Sequence, residues 1–162
     1  MSRISVQLIG LLGTFLILFS QITNFLVIKP FVYWYIFLTW FGYILLVDSL
    51  TYSVSHSSLL LSKPKKFLIT FPISVLIWLI FEFYNAHLQG WYYVGTPTDP
   101  VKCIPCYFSV STILPAVMET AELIRALKLF KRTQLRVDVN VRGLTIISIT
   151  GLTIVLLPFV YK

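Results

Sequence analysis

The sequence predicts an all-α protein, a polytopic transmembrane bundle of about five helices with its N-terminus in the cytoplasm. Three observations predict it. Apolar runs near 5–28, 31–52, 67–86, 104–124 and 143–161 each meet or nearly meet the roughly 20 residues that a helix needs to cross a bilayer. The chain is 57% hydrophobic and 12% charged, where soluble domains carry roughly 25% charged residues. Almost every charge falls between the runs, and the basic residues divide unevenly across them.

That division sets the orientation. With the N-terminus inside, the cytoplasmic side holds Arg3, Lys63, Lys65, Lys66, Arg125, Lys128, Lys131, Arg132, Arg136 and Arg142. The opposite side holds Lys29, Lys102 and Lys162. Ten against three, over short loops, is a strong positive-inside bias. The net charge of +7 therefore records orientation, and nucleic acid is not an expected partner. Five spans fill the 162 residues, with no soluble domain beside them.

The first run exceeds the length of a secretory signal core and lacks a small-residue cleavage site, so it is expected to remain as a helix. Asn24 and Lys29-Pro30 then make a tight turn, with Pro30 opening the second helix. That helix starts with aromatics on all sides, among them Phe31, Tyr33, Trp34, Phe37 and Trp40, which suits contact with more than one neighbour. In the following loop, residues 59–61 are expected to dip into the interface, with Lys63, Lys65 and Lys66 at the headgroups and His56 solvated. After the third span, Gly90-Trp91-Tyr92-Tyr93 reads as an interfacial aromatic belt. Gly95-Thr96-Pro97 and Asp99-Pro100 supply turns. The fourth run is expected as one helix that continues into a second basic loop, and Gly143, Gly151 and Pro158 interrupt the fifth. Gly10, Gly13 and Gly42 fit helix packing rather than phosphate binding.

Ionisable groups inside spans are costly and usually face the bundle interior. Here they are Asp48, Glu82, Glu119 and Glu122. Glu82 lies in the outer third of the third helix and Glu119 in the inner third of the antiparallel fourth, so the two are not expected to form a pair. Two sites follow. The inner one gathers Asp48, Glu119 and Glu122, with Arg125 one turn beyond Glu122 as its partner. The outer one gathers Glu82, Asn85 and His87 beneath Trp91 and the aromatic loop. Thr112, Pro115, Glu119 and Glu122 share a helical face, as do Ser74, Trp78, Glu82 and Asn85. Such stripes either line a ligand cavity or lock helices together. Glu119, Glu122 and Glu82 are the candidate catalytic acids; Glu119 and Glu122 have half the spacing of a carboxylate-bridged metal site but no accompanying histidine, so no metal is expected.

Cys103 and Cys106 form a Cys-x-x-Cys on the outer side, where disulfides persist. The motif at a helix start resembles membrane thiol oxidoreductases of the quinone-reducing and vitamin-K-epoxide-reductase types, which implies redox use of Cys103 and Cys106; a second cysteine pair is missing here. A plain disulfide is the simpler expectation.

Gly90-Trp91-Tyr92-Tyr93, followed about twenty residues later by Leu114-Pro115 and the acids Glu119 and Glu122, resembles the membrane-embedded lycopene cyclase domains of carotenoid synthesis. In those domains two adjacent acids follow the Leu-Pro, whereas Glu119 and Glu122 come later and apart. The same stretch is similar to uncharacterised bacterial multi-pass proteins, and a bacterial inner membrane is the expected location. Two main readings follow: a non-catalytic subunit of a larger membrane complex, packing partners, lipids or pigments, and an isoprenoid- or lipid-handling enzyme with Glu119 as its acid. Expected partners are membrane lipids and other membrane subunits or further copies of the chain. The cofactor stays open among carotenoid, chlorin, quinone and lipid.

Overall fold

A computed structural model describes residues 3–94, 100–129 and 140–160, the side chains at 100–103, 158 and 160 excepted. These residues form helices joined by short turns, with no strand among them. The helices are α1 (Arg3–Phe25), α2 (Phe31–Ser55), α3 (Leu59–Ser62), α4 (Pro64–Leu88), α5 (Pro100–Ser111), α6 (Ile113–Ala126) and α7 (Val141–Val160). Of these, α1, α2 and α4 are each long and apolar enough to cross a membrane. The expected turns at Gly95-Thr96-Pro97 and Asp99, the basic residues Lys131, Arg132 and Arg136, and Tyr161 lie outside the described residues.

Helices α1 and α2 form a close antiparallel pair. Gly13 and Gly42 face each other where they cross: a Cβ on Gly13 would stand 2.6 Å from the Gly42 carbonyl oxygen, and one on Gly42 would stand 2.7 Å from that of Gly13. Only glycine lets two backbones approach so closely. Ser20 and Thr39 add an interhelical hydroxyl bond of 2.8 Å.

The chain leaves α2 through His56, whose left-handed backbone closes the helix with an N–H bond to the Tyr52 carbonyl. Residues 59–61, where a dip into the interface is expected, are helical. They form the single turn α3, which tucks Leu59 into a small core with Ile44, Phe67 and Ala116. Pro64 then opens α4 at a position where its missing N–H has no intrahelical partner to lose.

The fourth expected span is not one helix. It breaks at Thr112 into α5 and α6, which follow one another along α2 and α4. Pro115 explains the break: it has no N–H for the Ser111 carbonyl, and its ring crowds that carbonyl. A hydroxyl from α4 enters the gap. Ser74 Oγ donates to the Val110 carbonyl at 2.6 Å and accepts from the Leu114 amide at 3.1 Å. It thereby replaces a bond that an unbroken helix would make between those two groups.

The interior is polar and the exterior is apolar. Ser20, Asp48, Thr51, Ser58, Thr112 and Glu119 are fully buried, while leucine, isoleucine and phenylalanine cover the outside of α1, α4 and α7. Most buried hydroxyls bond to a carbonyl three or four residues back in their own helix, as Thr51 does to Val47 and Ser109 to Pro105, each at 2.8 Å. This inversion of the soluble arrangement fits an integral membrane protein, whose outer surface meets lipid rather than water. Helix α7 is exposed along nearly all its described length and meets the bundle through Phe159, whose ring lies against Phe83, Tyr84 and His87 of α4.

Candidate functional site

Asp48 and Glu119 are brought together, each at 0% exposure, where α2 and α6 pack. The two carboxyl groups are near enough to act on one another. Asp48 projects from the last turns of α2, and its Oδ1 accepts the Leu60 amide at 2.8 Å. The acid therefore holds the start of α3 under the bundle. Asp48 Oδ2, both oxygens of Glu119 and the hydroxyl of Ser58 are buried without a hydrogen-bond partner among the described residues. Ser58 faces the same carboxylate from the α3 side.

Glu122 stands at the edge of the pair, one turn along α6 from Glu119. It is half-buried and pairs with Arg125 at 3.2 Å, one turn further on. With side-chain exposures of 30% and 73%, such a pair is worth under about 1 kcal/mol. A link that the sequence reading missed stands beside Glu119: Tyr43 Oη and Thr120 Oγ1 lie 2.8 Å apart and tie α2 to α6. A phenol in an apolar run, at the helix depth of a threonine on a neighbouring span, was the available signal.

The expected cluster at the far end of α4 divides in two. Asn85 grips Trp91 with both ends of its amide: the Trp91 N–H donates to Oδ1 and Nδ2 donates to the Trp91 carbonyl, each at 2.9 Å. This folds the segment after α4 back onto the helix, and the Tyr93 hydroxyl donates to Glu82. Burial among the neighbouring rings, then the Glu82 carboxylate, hold the Tyr93 phenol above its ordinary value of 10.0. His87 lies elsewhere, stacked on Phe159 at 4.5 Å with its Nε2 buried and without a hydrogen-bond partner among the described residues.

Hollows mark the surface of the described residues. One, of about 420 Å³, lies between α2, α4 and α5 and is lined by Phe37, Phe71, Val75, Tyr107, Phe108 and Ser111. Another, of about 280 Å³, is lined by Trp78, Phe81, Trp91 and Tyr93. Neither is lined by Asp48, Glu119 or Glu122. Among the described residues, no three His, Cys, Asp or Glu side chains gather at one point. Cys106 is exposed on α5, while the Cys103 side chain, and with it the expected pair, lies outside the described residues.

No family model, curated protein or solved structure matches this chain.

Proposed function

We propose that this chain is a non-catalytic, multi-pass subunit of a larger membrane assembly, and that its acid pair locks helices instead of attacking a substrate. One observation carries the reading. The deepest acids, Asp48 and Glu119, are sealed between α2, α3 and α6, while the larger hollow is walled by aromatic and aliphatic side chains without a carboxylate. A general acid must reach the atom that it protonates, and these acids reach the chain's own loop. A single proton shared by the two carboxyl groups would supply the bond that closes the lock between α2 and α6. The hollow between α2, α4 and α5 then receives an apolar chain or a partner helix in the bilayer.

The basic residues support a cytoplasmic N-terminus. Lys63, Lys65, Lys66 and Arg125 stand at the end of the bundle where α3 meets α6, and Lys29 stands at the other, in the turn between α1 and α2. Purification from native membranes in mild detergent, with mass spectrometry of what accompanies the chain, tests the reading. A defined partner set is expected. An isolated monomer whose Glu119→Gln variant folds normally but changes a polyene product in cells would overturn it in favour of the cyclase-like enzyme.

A further inference from the structure

Four rings at the Glu82 end of α4 line an open, shallow slot. Trp78 and Phe81 come from neighbouring turns of the helix, with centroids 6.2 Å apart. Trp91 and Tyr93 come from the segment that Asn85 folds back over them. The Tyr93 phenol donates to Glu82 and accepts the Trp91 indole N–H at 3.4 Å, which fixes the carboxylate at the slot's edge. A carboxylate has about four acceptor sites, so one phenol leaves most of them and the charge itself in place. Among the described residues, no lysine or arginine pairs with it.

Ring faces carry negative potential and attract cations, most strongly when the cation is stripped of water. The slot walls are rings that offer little in the way of hydrogen-bond acceptors, which a strongly hydrated ammonium or metal ion would need to replace its shell. A cation with no N–H to satisfy and an apolar skin has no such need. We propose that Trp78, Phe81, Trp91 and Tyr93, with Glu82 at their edge, bind a quaternary ammonium group, carried either on a choline lipid headgroup or on a free trimethylammonium compound. The slot shares no lining residue with the hollow between α2, α4 and α5, so the site stands or falls independently of the subunit reading.

The test uses the full chain in a neutral sugar detergent. Tetramethylammonium chloride is titrated against potassium chloride at matched ionic strength, with tryptophan emission and thermal unfolding as readouts. A saturable response to tetramethylammonium that potassium does not reproduce is expected. Trp91→Leu and Glu82→Gln, checked for folding by circular dichroism, should each weaken it about tenfold, and Tyr93→Phe, which keeps the ring, by less. Identical responses to the two salts, or folded variants that bind as tightly as the parent, overturn the proposal. Should a variant fail to fold, the comparison of salts on the parent chain still decides. Nanodiscs separate the two sources: a tetramethylammonium response lost in phosphatidylcholine but kept in phosphatidylglycerol assigns the site to the lipid headgroup. A response kept in both assigns it to a free compound.

Discussion

Ser74 supplies Leu114 with the hydrogen bond that its own helix cannot. The hydroxyl accepts the Leu114 amide while donating to the Val110 carbonyl, so a side chain from α4 is built into the backbone ladder between α5 and α6. One buried oxygen, 3% exposed as a residue, serves two backbone groups on another element. The chain tolerates Pro115 between α5 and α6 because of it.

Ser74→Ala should therefore cost more than the loss of an ordinary hydroxyl. Two buried backbone groups are stranded, each worth about 1–3 kcal/mol when left unpaired, although membrane hydrogen bonds measured singly average nearer 0.6 kcal/mol. A loss of about 1–3 kcal/mol in detergent unfolding is expected, with Ser74→Thr falling less. An unchanged melting temperature in the alanine variant would show that water or a backbone shift closes the break.

The Asp48–Glu119 pair predicts an order among substitutions. Glu119→Gln supplies an amide N–H toward Asp48 and should leave stability almost unchanged, whereas Glu119→Ala should lose about 0.6–2 kcal/mol together with the packing of a fully buried side chain. In a double-mutant cycle with Asp48→Asn, the two positions should couple. Additive losses would mean that the acids do not sense each other.

Gly13→Val places a branched side chain where even a Cβ would stand 2.6 Å from the Gly42 carbonyl oxygen and 2.7 Å from the Leu46 amide. Backbone cannot yield as a side-chain tip can, so α1 must leave α2. The expected readout is a lowered melting temperature and freer proteolysis of the turn between α1 and α2. Gly151→Val, which meets open space, is the matched control.

Tyr93 predicts a pH response with a definite sign. Its phenol is held above 10.0 in the fold, so the folded state favours the neutral form. The contribution of the Tyr93–Glu82 bond is therefore complete below about pH 10 and is lost as the pH rises through the higher folded value. Trp91 emission should stay flat from neutral pH to about pH 9 and change only beyond 10, with that change missing in Tyr93→Phe. A Tyr93-dependent transition centred below pH 10 would contradict the assignment.

The legible parts of this molecule were those written in short-range pattern. Apolar runs marked the long helices, Lys29-Pro30 marked the first turn, and helical spacing placed Ser74, Thr112 and Glu119 on inward faces. Depth counting put Glu119 with Asp48 and apart from Glu82. What could not be read were contacts made by groups that every residue carries, or by elements far along the chain. The Leu60 amide is invisible as a partner for Asp48 because any loop residue offers one. Pro115 signalled a disturbance, but the hydroxyl that mends it sits on another helix. His87 departs from Glu82 because Phe159, at the far end of α7, stacks on it.

The grip of Asp48 on α3 has a mutational consequence. The acid holds a backbone N–H of residue 60, and to that grip side-chain identity is irrelevant. Nineteen of the twenty amino acids present the same donor there; proline alone has none. The Leu60 side chain answers only to the core that it packs against, while the grip itself constrains nothing but the backbone, and a single proline scan across residues 58–62 would find the spot where that backbone bond is lost.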